Sequence, residues 1–356
     1  MINTPHHADN PIQYKSVTLW LLSVCAMIFV MALIGAITRL TESGLSIMEW
    51  APFRGTLPPF SETEWVRLFG LYQATDEFKV DNFTMDLAGF KSIFWWEWIH
   101  RFWGRAMGLY FGLGLIFFWV RRGLPGWLKP HLLFALVLGG LQGTVGWFMV
   151  ASGFDDGLTD VSHFRLAAHL AFALILYTYL FVLALKLGWP RKGAHISPPY
   201  IRTLSWIGLT CLIITLFSGA LVAGLNAGLI YAEWPLMGGD LVPFDYFLTD
   251  TASWVQTALN HDTAVQFNHR WFAVAFGIYT LCIAIMVIRN CRSMASAKFW
   301  SALLIFIVIF QVLLGISTLV LSVPTMLGAA HQGGAITLLT AYVATIYFLR
   351  RQAYKI

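Results

Sequence analysis

Four of the chain's ten histidines, His100, His169, His269 and His331, fall inside long apolar segments, 69 residues apart in the first pair and 62 in the second. An imidazole in such a segment is expensive, and one alone is as readily an interhelical hydrogen-bonder as a ligand. Two per half, on different helices and at similar depth, match what a bis-imidazole haem needs, one axial nitrogen from each side of the iron. Zinc would want three or four ligands in tetrahedral reach, which neither these histidines nor the scattered Cys25, Cys211, Cys282 and Cys291 supply. No disulfide framework is indicated. Arg101 and Arg270 each follow a histidine, with Arg105 and Arg165 nearby, so guanidinium groups gather where haem propionates would approach water. The alternative for them is a snorkelling anchor at a helix end. Glu97 lies three residues before His100, on the same helical face, whereas Gln266 holds that place before His269. A carboxylate beside only one of two irons points to chemistry in that half, with Glu97, His100 and His169 as the catalytic set, and electron storage in the other. The structural alternative is an ion pair with Arg101 at i+4.

Helices must position these groups. Eight segments are long and apolar enough to cross about 30 Å of hydrocarbon, near 17–38, 92–120, 131–151, 163–186, 202–223, 266–289, 298–323 and 327–349. With 58% apolar and 12% charged residues, the composition excludes a water-soluble surface. With the N-terminus inside, the inner segments collect fourteen Lys and Arg against one acid, Asp9, while the outer loops hold five basic residues against sixteen of the eighteen acids. The net charge of +5 therefore marks the cytoplasmic side and calls for no nucleic acid. Both termini are expected in the cytoplasm, and a polar start without a leader favours the inner (plasma) membrane of a bacterium. The outer loops 39–91 and 224–265 are long enough to cover a site, which puts the haem sites toward the periplasm. Within the first loop, Ser61 before Glu64, then Trp65, Leu68, Phe69 and Tyr72, predicts a capped amphipathic helix anchored at the membrane surface. Trp95, Trp96, Trp98, Phe102 and Trp103 read equally as walls of a macrocycle or as an interfacial belt. His6, His7, His131 and His195 have no counterpart in the other half and carry no assigned role; His163 and His261 are candidate second donors near the sites.

The halves are duplicates. Gly35-Ala36 recurs as Gly219-Ala220, Gly44-Leu45 as Gly228-Leu229 and Glu49-Trp50 as Glu233-Trp234, always 184 positions later. His100-Arg101, Gln142 and Gly146 recur 169 positions later as His269-Arg270, Gln311 and Gly315, and Ala168-His169 recurs 162 later as Ala330-His331. The chain thus reads as an all-α polytopic membrane protein with eight transmembrane helices in two pseudo-symmetric four-helix bundles, residues 1–190 and 191–356. Four being even, both halves enter the membrane in the same sense, and their pseudo-axis should follow the membrane normal. A four-helix bundle commonly holds a cofactor between facing helices.

The run Thr38-Arg39-Leu40-Thr41-Glu42-Ser43-Gly44-Leu45-Ser46, the stretch Glu97-Trp98-Ile99-His100-Arg101, the paired Gln142 and Gln311 segments and the four histidines in order resemble the haem A synthase family, in its proteobacterial and mitochondrial branch. The resemblance covers all eight spans. It implies an oxidoreductase acting on a methyl group, converting haem O to haem A by oxidising the C8 methyl to a formyl group through an alcohol, for terminal oxidase assembly. Carried over, His100 and His169 would flank haem O as substrate, Glu97 would act beside it, and His269 and His331 would ligate a permanent haem b. Implied partners are haem O synthase, terminal oxidase assembly factors and membrane lipid; an oligomer stays open. Some bacterial members carry a cysteine pair in the first outer loop, and this chain has none there. The alternative from another class is a diheme cytochrome b passing electrons between quinol and a partner, which gives no reason for the Glu97/Gln266 difference; a haem transporter would need a route to the inner side.

Overall fold

The computed structural model describes residues 14–49, 54–155, 157–190, 197–247, 253–291 and 293–349. His6, His7, His195, Trp50 and the terminal charges Arg350, Arg351 and Lys355 lie outside them. The described residues form eleven α-helices and no strand: α1 Lys15–Leu40, α2 Glu62–Gln73, α3 Asp76–Val80, α4 Leu87–Val120, α5 Leu128–Ala151, α6 His163–Gly188, α7 Pro199–Gly224, α8 Trp254–Asn260, α9 Asp262–Asn290, α10 Ala295–Val320 and α11 Thr325–Phe348.

Seven of these are long and apolar enough to cross a membrane, namely α1, α4, α5, α6, α7, α9 and α10. The chain is a multi-pass, all-helical membrane protein. The eighth expected segment forms as α11 but is less apolar, and its surroundings explain why. It packs against α1, α6, α7 and α10 and buries residues along its whole length, from Ala329 to Tyr347. A helix walled by protein rather than lipid can carry His331, Gln332 and a Gly333-Gly334 pair without facing hydrocarbon. By contrast α5 and α10 turn Phe134, Val137 and Trp147, and Phe306, Phe310 and Leu313, outward. Apolar surface of that extent marks a contact with membrane or protein, and both helices are long enough to cross a bilayer.

Contacts fall into a recurring scheme. α1 packs on α4 and α6, and α5 on α6; α7 packs on α9 and α11, and α10 on both α9 and α11. Between the halves α1 meets α11, α6 meets α7, and α6 meets α11. Two contacts join positions that correspond in the duplication. Arg39 Nε donates to the Ala223 carbonyl at 3.1 Å, 184 residues away, and Tyr347 Oη to the Leu185 carbonyl at 3.1 Å, 162 away. The main core lies along this seam, with Leu21, Leu180, Ala184, Tyr342 and Ala344 fully or almost fully buried.

The Ser61 cap forms as read, its hydroxyl accepting from Glu64 N at 3.2 Å. The apolar face of α2, however, is taken up by protein: Trp65 and Tyr72 bury against Phe90 and Phe94. Phe90 belongs to an extra stretch of α4, which starts at Leu87, ahead of the expected residue 92, because Asp86 caps it through Gly89 N at 2.8 Å. At the other end of the chain α10 stops at Val320, short of residue 323, since Val323 precedes Pro324 and takes a positive φ of 54°.

Candidate functional site

The four paired histidines share one local design. Each ring lies against a glycine of a neighbouring helix: His100 of α4 on Gly35 of α1, His169 of α6 on Gly146 of α5, His269 of α9 on Gly219 of α7, and His331 of α11 on Gly315 of α10. A Cβ at those glycines would come within 3.3, 2.8, 2.8 and 2.7 Å of a ring atom, respectively, so any larger residue would displace the imidazole. α4 and α6, which carry His100 and His169, both pack on α1, and α9 and α11, which carry His269 and His331, both pack on α7 and α10. In each half a glutamine holds the later histidine. Gln142 Nε2 lies 3.2 Å from His169 Nδ1 and donates to its carbonyl at 3.0 Å; Gln311 does the same for His331 at 3.1 and 2.8 Å. Both amide oxygens, Gln142 Oε1 and Gln311 Oε1, are buried with no partner among the described residues.

Glu97 sits one turn before His100, 3% exposed, inside a closed set of donors. Ser46 Oγ and Ile47 N both donate to Oε2 at 2.7 Å, and Arg101 donates to Oε1 from Nε at 2.9 Å and Nη2 at 2.5 Å. The ion pair at i+4 therefore exists, but it is half of the arrangement. Arg101 also reaches the Ile47 and Glu49 carbonyls at 3.0 and 3.4 Å, tying the outer loop down over the helix. At the corresponding place in the second half, Arg270 takes the Tyr231, Glu233 and Leu236 carbonyls at 2.6, 2.8 and 3.2 Å, and Gln266 Nε2 adds a bond to Tyr231 O at 3.1 Å. Residues 231 and 233 are 184 positions after 47 and 49, so both halves fasten the same loop positions with the same arginine. The carboxylate is the part that differs.

The other expected residues are engaged nearby. Arg105 Nη1 donates to the Gly55 carbonyl at 3.1 Å, while Arg165 donates to the Phe148 carbonyl at 2.9 Å and lies 3.8 Å from that residue's ring centroid. Trp98 and Phe102 stack at 5.0 Å, and Trp103 donates to Met27 O at 3.0 Å. His131 bonds Tyr179 Oη at 2.6 Å. His163 abuts Gly224 of α7 and bonds Leu259 and Asn260 at the end of α8, joining α6 to both.

Sequence reasoning missed Ser46, Ile47 N, Ser218 and Glu77. Ser218 Oγ lies 3.0 Å from His269 Nδ1. It directly precedes the duplicated Gly219, a signal that marked its neighbour and not itself. Glu77 in α3 is 5% exposed, and its Oε2 has no partner among the described residues. Burial first, then the charges of Glu97, Glu42, Asp160 and Asp81, push its carboxyl from 4.5 up to about 8. The folded state thus holds a proton that the unfolded chain has lost above pH 4.5. That contribution to stability is complete below pH 4.5 and disappears as pH rises through about 8. The outer loop should therefore become easier to nick with protease between pH 6 and about 8.5, in ~10 mM salt or in physiological salt alike because the group is buried. In Glu77→Gln that pH dependence should vanish; a loop whose cleavage rate is flat with pH in the unaltered chain would refute it.

Beside this geometry stand the relatives. The chain matches the family described as cytochrome oxidase assembly protein over residues 18–343. It is similar to proteins called haem A synthase from Rhodospirillum centenum, 44% identical over 94% of this chain and 89% of the relative; from Granulibacter bethesdensis, 43% over 97% and 90%; and from Maricaulis maris, 42% over 98% and 99%. The family match begins within α1 and ends within α11, and so takes in His100, His169, His269 and His331 and both outer loops. The chain belongs to the cytochrome oxidase assembly protein family, among the haem A synthases.

Proposed function

We propose that this chain converts haem O to haem A, oxidising the C8 methyl group to a formyl group through the alcohol, and that it does so in the N-terminal half. The observation that carries the reading is the caged Glu97 one turn before His100, in a half whose duplicate has the same histidines and arginine but no carboxylate. Since the second half fastens its loop with Arg270 and a neutral Gln266, a purely structural role does not account for the glutamate.

The donor set fits a haem in each half. Two imidazoles stand on helices that pack against a common neighbour, and a glycine on the adjoining helix makes room for each ring. The Gln142 and Gln311 amides, each beside Nδ1 and bonded to the backbone carbonyl of its histidine, hold the later ligand of each half in place. His100 and His169 would hold haem O, and His269 and His331 a resident haem b, which when bound supplies one-electron storage beside the reacting half. Arg105, Arg165 and Arg270, which donate to the Gly55, Phe148 and Glu233 carbonyls, are the candidates for recognising propionates, with Arg101 shared with Glu97. The four lone-pair directions of Glu97 are already used by donors, which favours a fixed charge that stabilises positive charge developing at the oxidised carbon over a mobile proton acceptor.

The same reading includes eight spans, α11 being the eighth, in two pseudo-symmetric halves, residues 1–190 and 191–356, with both termini on the cytoplasmic side of a bacterial inner membrane and both sites toward the periplasm. The self-corresponding contacts at Arg39–Ala223 and Tyr347–Leu185 support a pseudo-twofold along the helices. Product would pass to terminal oxidase assembly factors, with haem O synthase as the supplier. Pigment extracted from protein purified from cells that make haem O, then weighed by mass spectrometry, should contain haem O or haem A beside haem b. Haem b alone, two per chain and inert to exchange, would favour the diheme electron carrier instead.

A further inference from the structure

The four histidines are not held alike. Ser218 Oγ lies 2.8 Å from the Thr215 carbonyl and 3.0 Å from His269 Nδ1, so with its one proton on the carbonyl it is an acceptor for Nδ1–H. In that arrangement His269 Nδ1 donates, which leaves Nε2 with its lone pair and fixes the ring against rotation. His169 and His331 have the Gln142 and Gln311 amides beside Nδ1. Around His100 no hydrogen-bond partner exists among the described residues. At the corresponding position, 184 before Ser218, stands Ile34, whose side chain has neither donor nor acceptor. Packing reflects the difference. In the other three histidines the atom nearest the glycine is Cε1, whereas in His100 it is Nε2, facing Gly35.

We propose that His100 is the exchangeable axial ligand of the N-terminal haem, and that Ile34 is the positioning residue that makes it so by withholding the hydrogen bond which Ser218 gives His269. The proposal rests on the bis-imidazole reading above. An acceptor for Nδ1–H orients a ligating imidazole and makes Nε2 a better donor, and losing it typically costs 10- to 100-fold in ligand affinity, on the order of one or two powers of ten. An iron held by two firm imidazoles offers no coordination site. A ligand that yields opens one without moving a helix, and only in the half that carries Glu97.

The probe is carbon monoxide, added to the dithionite-reduced, detergent-solubilised full chain with both haems bound. The unaltered chain should take up one equivalent readily, while the second haem stays six-coordinate. Ile34→Thr supplies a hydroxyl that can bond back to the Met31 carbonyl, as Ser218 does to Thr215; it should weaken carbon monoxide uptake by about tenfold or more. Ile34→Val, nearly identical in shape to threonine but without the hydroxyl, should behave as the unaltered chain and separates the bond from the packing. Ser218→Ala should make the second haem reactive. Equal uptake by Ile34→Thr and Ile34→Val, at full haem content, overturns the proposal alone. Absence of a low-spin bis-imidazole spectrum in the oxidised, unaltered chain overturns the ligation reading and the proposal with it.

Discussion

Glu97→Gln is expected to lower haem A formation by about 100-fold or more while haem remains bound. Glutamine keeps one oxygen for Ser46 Oγ and Ile47 N but turns an amide donor toward Arg101, so it removes the charge while retaining much of the cage. Glu97→Ala is the harsher change. It leaves Arg101 and the two loop donors without their acceptor, and breaking a buried ion pair by removing one partner costs about 3–5 kcal/mol. Its outer loop should be more open to protease as well as inactive. Haem stoichiometry by pyridine haemochrome, mass analysis of extracted pigment and loop cleavage together separate the two effects. A Glu97→Gln protein that makes haem A at the normal rate would reduce the residue to a clamp.

His269→Ala and His331→Ala should each lose the haem of the C-terminal half, lowering content from about two groups per chain to about one, with the remaining group still exchangeable against added haem O. The expectation follows from how closely each ring is fitted, on Gly219 and Gly315 respectively, with Ser218 and Gln311 at Nδ1. A ring so positioned is poorly replaced by water or by another side chain. Full content in either variant, measured on freshly purified protein, would show that its iron is held elsewhere.

The long helices were legible because apolar run length answers directly to the bilayer. α11 shows the limit of that rule. Its apolar content falls as its protein contacts rise, and those contacts cannot be read before the other helices are in place. The histidine pairs were legible because duplication wrote each one twice, and the glycines beneath them were written twice too, as Gly35 and Gly219 and as Gly146 and Gly315. What duplication did not write stayed hidden. The Ser46 and Ile47 donors reach Glu97 across 51 and 50 residues of chain. Glu77 looks like one more solvated acid of the outer loop until α3 is folded against its neighbours. The α2 face, read as lying on lipid, is instead matched by the aromatic extension of α4, a partner only tertiary structure supplies.

The bonds from Arg39 to Ala223 and from Tyr347 to Leu185 carry a consequence for how such a molecule arose. In a homodimer of one ancestral half, each of these positions would confront a copy of itself, arginine against arginine at one end and tyrosine against tyrosine at the other. Two guanidinium ions sharing that spot would repel. Covalent linkage of two copies would free each position to take a different residue, a large cation facing a bare carbonyl. The same release from enforced identity would let one copy carry an acid, Glu97, where the other holds an amide, Gln266.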